Sequence, residues 1–219
     1  MKRCFCLCIV VWLCLPFASA FAMTLLPPDA TVAILQFGAQ EDIQNRDQVA
    51  EAAAEYVLEA LQEHSTLTVY DRDLMAQTLA ERGLSLTGLQ GLEAARKVVP
   101  ILDTPYVIWG YVSALHVEDN LVGIPPVPIG DYKVGFLMHK KKASAHLALR
   151  IMDADTGFTL ALTQGDGKCK SGVQVVTVND SALGGGDEAS NAHLIEEALK
   201  RAADEATLKA LVQLGLQSH

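Results

Sequence analysis

Thr31–Phe37 reads TVAILQF, a nearly unbroken apolar run bounded by Pro27-Pro28-Asp29 and Gly38. A strand buried on both faces has this pattern. The period then changes: Val49, Ala53, Val57 and Leu61 recur every four residues, with Ala50, Ala54 and Leu58 beside them. That stripe predicts a helix over residues 46–64, with Asn45 or Asp47 as its cap. A short strand at 67–70 follows, and a strand–helix–strand unit of this length implies parallel pairing through a right-handed crossover. Asp71 or Asp73 then caps a second helix whose inner face is Leu74, Met75, Thr78 and Leu79, stopped by Gly83. A shorter helix over residues 89–99 ends at Pro100.

The second half returns to strands. Tyr106–Val112 is apolar throughout, and in Ala145–Met152 the residues Leu147, Leu149 and Ile151 share one face while His146 and Arg150 take the other. Asp153-Ala-Asp-Thr-Gly157 has turn chemistry, so 158–163 reads as the returning strand of a hairpin. A last helix over residues 191–214 turns Leu194, Ile195, Ala198, Leu199 and Ala202 inward. Its outer face carries Glu196–Lys200, Glu197–Arg201 and Glu205–Lys209 pairs. The regular pattern is interrupted over 118–143 by Gly123, Pro125, Pro126, Pro128 and Gly130, and Gly184-Gly-Gly186 makes a flexible break before the last helix. The fold class is therefore α/β: a mixed sheet with packed helices, β-α-β-α-β followed by an antiparallel hairpin and a C-terminal helix.

The first 22 residues stand apart. Lys2 and Arg3 precede an apolar run from Cys4 to Leu15, and Ala18-Ser19-Ala20-Phe21-Ala22 closes it, as in a secretory signal cleaved after Ala20 or Ala22. Val11-Trp12-Leu13 before Cys14 is too bulky for a lipobox. Cys4, Cys6, Cys8 and Cys14 would leave with this segment, so Cys169 would remain alone and no internal disulfide could form. Residues 23–219 then make a single domain held by its core. The chain carries a net charge of −9, and loss of Lys2 and Arg3 makes it more acidic still, which disfavours a nucleic-acid partner, and none is expected.

Candidate chemistry fails on spacing. Gly165-Asp-Gly-Lys-Cys-Lys-Ser-Gly172 imitates a phosphate loop, but Lys170 occupies the second glycine position, and a glycine-flanked polar turn is the better reading. Gly83-Leu-Ser85-Leu-Thr-Gly88 misses the nucleophile elbow by one residue. Asp153-Ala-Asp155-Thr-Gly157 starts like a calcium loop but has Gln164 where the closing acid belongs. The six histidines form no zinc-spaced pair. His139-Lys-Lys-Lys142 reads as a solvated hairpin edge, with at most peripheral contact to a membrane. No catalytic set assembles, and a non-enzymatic protein without cofactor or metal is expected.

The ordered segments resemble the CsgG family, the curli production assembly/transport components of bacterial envelopes. The resemblance rests on the first strand with Phe37, on Tyr70-Asp-Arg72-Asp-Leu74 with Leu84-Ser85-Leu-Thr-Gly88, on Tyr106-Val-Ile-Trp-Gly110-Tyr-Val, and on Leu149-Arg-Ile-Met-Asp153-Ala-Asp-Thr156-Gly157. It covers residues 30–163 and, more loosely, the final helix. It implies a domain facing the periplasm in which Arg72, Ser85, Gly88, Gly110, Asp153, Thr156 and Gly157 are structural positions. It also implies partners among envelope proteins in secretion or assembly, with homo-oligomers as an option. In the family's secretion channel, insertions matching 116–143 and 164–188 supply hairpins to an outer-membrane barrel. Here the prolines, and alternation sustained for too few residues, argue against membrane strands. Two alternatives stand: a pore subunit of that channel, and a periplasmic regulator of a cell-wall synthase, whose lipoprotein activators share a related fold.

Overall fold

A computed structural model describes residues 26–85, 91–178, 181–183 and 190–216. In chain order the elements are β1 (Thr31–Ile34), β2 (Gly38–Ala39), α1 (Arg46–His64), β3 (Thr68–Val69), α2 (Arg72–Glu81), α3 (Gly91–Leu102), β4 (Tyr106–Ile129), β5 (Tyr132–Asp153), β6 (Thr159–Val178), β7 (Ser181–Leu183) and α4 (Asn191–Leu214). The sheet order is β3-β1-β4-β5-β6-β7, with β2 pairing β4. As the crossover argument requires, β1 is parallel to β3 and β4, whereas β4, β5, β6 and β7 are successively antiparallel.

Helices cover both faces at the base of this sheet. On one face Val32, Ile34, Phe37, Leu147, Leu149 and Ile151 pack under the alanine-rich sides of α1 and α4. On the other, Ala33, Leu35, Val107 and Met152 meet Met75 and Leu79 of α2 and Ala95 and Val98 of α3. The apolar run of β1 is thus divided between two cores, which explains why it shows no alternation. Phe37 lies over Gly110 so closely that a β-carbon there would come within 2.4 Å of the ring.

Local chemistry accounts for the helix ends. The Leu74 amide donates to the Asp71 carboxylate at 2.8 Å, the His193 amide to the Ser190 hydroxyl at 3.2 Å, and Gly83 and Gly215 take left-handed φ values of +71° and +70°. Asn45 precedes α1 but is itself left-handed and gives no side-chain cap. Pro100 does not stop α3, which runs to Leu102. So near the C-terminal end of a helix, proline removes one hydrogen bond rather than a whole ladder.

The largest departure from the sequence reading is in the two supposed insertions. Residues 116–143 are not irregular: β4 and β5 form one continuous ladder from Tyr106↔Asp153 to Ile129↔Tyr132, closed by a turn with Gly130 at φ +64°. Pro125 and Pro126 fall inside a register shift between Ile124 and Val127. There and on Pro128 no further strand asks for an N–H, so proline is tolerated. Residues 164–178 likewise continue β6, paired to β5 as far as Val134↔Val178.

Candidate functional site

The motif positions singled out from the sequence do not gather into a cleft. Asp71 is spent on the α2 cap, and the Arg72 guanidinium pairs with Glu55 of α1 at 2.5 Å. Gly110 makes room for Phe37. Asp153, Thr156 and Gly157 do meet, in the β5–β6 turn: one Asp153 carboxylate oxygen accepts the Asp155 and Thr156 amides, both at 3.0 Å, and Gly157 has φ +77°. Ser85 follows α2, and Gly88 lies outside the described residues.

The phosphate-loop lookalike is a strand, not a turn. Gly165 and Gly167 face α4 so closely that β-carbons would lie 1.9 Å from the Ala202 carbonyl oxygen and 1.7 Å from that of Ala198. The glycines exist to let helix and sheet backbones touch. Cys169 is half-buried on the same face, at the margin of the core and cross-strand from Ala143. No group of three metal-ligating side chains occurs among the described residues.

One constellation escaped the sequence search because its members lie on three strands. Ser113, His146 and Asp166 line a shallow cleft of about 100 Å³, and His146 Nδ1 pairs with the Asp166 carboxylate. The register pairing His146↔Asp166 was the signal, and it is invisible without the fold. The Ser113 hydroxyl, however, is directed 3.5 Å to the His146 carbonyl oxygen rather than to the imidazole. A nucleophile is activated only when its proton faces the base.

The feature that dominates the molecule is the β4–β5–β6 ribbon, which along much of its length has no further strand partner among the described residues. On β5 the residues Tyr132, Val134, Phe136 and Met138 alternate with Lys133, Gly135, Leu137 and His139. Val122, Val127, Ile129 and Tyr132 are each more than half exposed. Nearer the core, Lys142 stands directly opposite Lys170 in the register, and Glu118 answers only the former, at 3.4 Å. Like charges placed cross-strand repel. The ribbon therefore carries an apolar end and a basic girdle on a protein that is acidic as a whole.

Its two edges differ. Along β6, three α4 side chains spaced four residues apart reach the outward backbone: Arg201 donates to the Lys168 carbonyl at 2.9 Å, Glu205 accepts the Asp166 amide at 2.9 Å, and Lys209 donates to the Gln164 carbonyl at 2.8 Å. The bonds from Lys209 and from the Asp166 amide hold the Glu205 carboxyl below its ordinary range. On the other side of α4, burial raises the Asp204 carboxyl, against the opposing pull of Lys200. β4, by contrast, has β5 as its one strand partner from Ser113 to Ile129 among the described residues.

The sequence matches the family model described as curli production assembly/transport component CsgG over residues 31–218. No curated protein matches it. Solved structures similar in fold include the LpoB C-terminal domain from Salmonella enterica, at 13% identity and TM-score 0.41, covering 64% of this chain and 82% of that one. Lipoprotein GNA1162 from Neisseria meningitidis gives 11% identity and TM-score 0.43, covering 75% and 90%. The PelC dodecamer from Paraburkholderia phytofirmans gives 10% and 0.38, covering 89% and 93%.

Proposed function

We propose, from the premise that this chain belongs to the CsgG family of curli production assembly/transport components, that it is an exported, non-catalytic protein of the cell envelope. It acts through protein–protein contacts in secretion or assembly. In this reading residues 1–22 are a cleaved signal, residues 23–219 are the working domain, and Arg72, Ser85, Gly88, Gly110, Asp153, Thr156 and Gly157 shape the fold. The observation that carries the reading is the ribbon: strands of 24, 22 and 20 residues, far longer than a core of this size needs, with exposed apolar side chains at one end and an open β4 edge. A surface with these properties lowers its free energy when a partner covers it.

The test is photo-crosslinking in cells, with a crosslinking amino acid at Val122 or Tyr132 on the ribbon and, as control, at Glu51 on the exposed side of α1. Discrete adducts with envelope proteins from the ribbon positions alone are expected. Capture of a cell-wall synthase would move the role to synthase regulation. Equal labelling from Glu51, or none from the ribbon, would overturn the reading.

A second reading is favoured by a specific observation. A membrane-spanning strand needs about 9–11 residues with an apolar outer face, and Tyr132 to Met138 alternates in the required sense as part of a much longer strand. A pore subunit would need neighbours along the open β4 edge, because unpaired backbone is not tolerated in lipid. Dye release from liposomes together with ring-sized particles in detergent would establish that role. A monomer that leaves liposomes intact would remove it.

A further inference from the structure

The sheet face covered at its base by α2 and α3 has a second feature, at the line where that cover ends. Trp109 of β4, Arg150 of β5 and Leu162 of β6 are consecutive cross-strand partners on it. The Arg150 guanidinium lies over the Trp109 ring, 5.1 Å from its centroid. In the next rung Tyr111 is 38% exposed, and Leu162 itself is 53% exposed.

Two facts set this cluster apart from ordinary packing. The indole Nε1 of Trp109 and the Nε of Arg150 are buried and have no hydrogen-bond partner among the described residues. Two buried donors left unpaired side by side concentrate a cost that an acceptor brought from outside would remove. Moreover, no described carboxylate pairs with Arg150, although the chain has 26 acidic residues, and Asp166, on the neighbouring strand β6, is taken by His146. A cation stacked on tryptophan, with tyrosine and leucine beside it, also has the composition of an interface hot spot.

We propose that Trp109, Arg150, Tyr111 and Leu162 form a docking surface for a protein segment that presents a carboxylate within an apolar stretch. The carboxylate pairs with the guanidinium, and the apolar flanks cover Tyr111 and Leu162. Charge complementarity selects this occupant, because the unmatched group is a cation held in apolar surroundings. There a charge-assisted pair is stronger than it would be in water. The proposal rests on the reading of the chain as a protein-contact module, but it concerns a different surface from the ribbon end. Ribbon crosslinking and docking at Arg150 can therefore fail separately.

The experiment uses the full chain with Trp12→Phe, which leaves Trp109 as the sole indole. The probes are two short peptides differing in one residue, glutamate or glutamine, set between leucine and phenylalanine. Titration of the glutamate peptide should change Trp109 emission saturably, with affinity at least roughly tenfold tighter than the glutamine peptide, as expected for a charge-assisted bond. Arg150→Gln should abolish the difference and Arg150→Lys should keep part of it. The comparison of peptides on the unaltered face holds even if a variant folds poorly. Equal binding of the two peptides, or no response to either, overturns the proposal. So does a change in emission on dilution alone, which would make the occupant a second copy. A change caused by Asp187→Asn with Glu188→Gln in the absence of peptide would assign the site to the chain's own acids, and would overturn it too.

Discussion

The two long edges of the ribbon are made of the same material and treated in opposite ways. The β6 edge is closed next to the core by Arg201, Glu205 and Lys209, which occupy outward backbone groups of Gln164, Asp166 and Lys168, and further out by pairing with β7. The β4 edge beyond Val112 has nothing of the kind among the described residues except the prolines at 125, 126 and 128 near its tip. Closing an edge with charged side chains is how monomeric sheets avoid unwanted pairing. In the proposed function, the edge left open is where a partner would pair. The difference also shows that α4 works in two ways at once, roofing the core with its alanines and guarding an edge with its charges.

The closure depends first on how near α4 can come. Gly167→Leu would drive a side chain into the Ala198 backbone, where even a β-carbon is 1.7 Å away. A loss of about 3 kcal/mol or more is expected in urea unfolding. Gly172→Ala, whose β-carbon would meet nothing nearer than 3.6 Å, should change little. A more selective break is the triple change Arg201→Ala, Glu205→Ala, Lys209→Ala. It removes three charge-assisted bonds at an exposed edge, which is about 1–2 kcal/mol after solvent screening. Its main sign should be faster hydrogen exchange at the Asp166 amide and concentration-dependent association. If the triple variant stays monomeric with an unchanged Asp166 amide, the guarding role is wrong.

Acid should loosen the same edge by a smaller amount. The Glu205 carboxyl is held below its ordinary value of 4.5 in the fold. Its contribution is therefore complete above that value and fades as the pH falls through the lower, folded one. Protection of the Asp166 amide should drop in that window, and Glu205→Gln should remove the pH dependence. Smallest of all is the exposed Arg72–Glu55 pair, distant in sequence from either edge. Glu55→Gln should cost about 0.5 kcal/mol or less, with no effect on association.

Much of the base is legible in the amino-acid pattern. The four-residue stripe gives α1 its observed limits, and the alanine and leucine positions of α4 give that helix from Asn191 to Leu214. Both elements bury one face, so their period survives in the sequence. The ribbon is not legible because its strands are held by ladder pairing rather than burial, so side-chain alternation is free to lapse, as it does at Gly123 and Pro125. Gly165 and Gly167 mislead for the complementary reason: their service is the space they leave, and an absent side chain leaves no hydrophobic pattern. Trp109 and Arg150 can be placed on strands but not beside one another, because register lies outside what one strand's sequence records. The α4 pairs read as ordinary surface pairs, and only the packing of the helix reveals that they also reach the β6 backbone.

In the proposed function, contacts are made through the open β4 edge and not through the guarded β6 edge. Hydrogen exchange of the chain alone and in complex with an envelope partner captured at Val122 separates the two edges. New protection confined to amides between Ser113 and Ile124, with Gln164 to Lys168 unchanged, is the expected result. Protection gained along β6 instead, or along neither strand, would show that partners do not bind at the open edge.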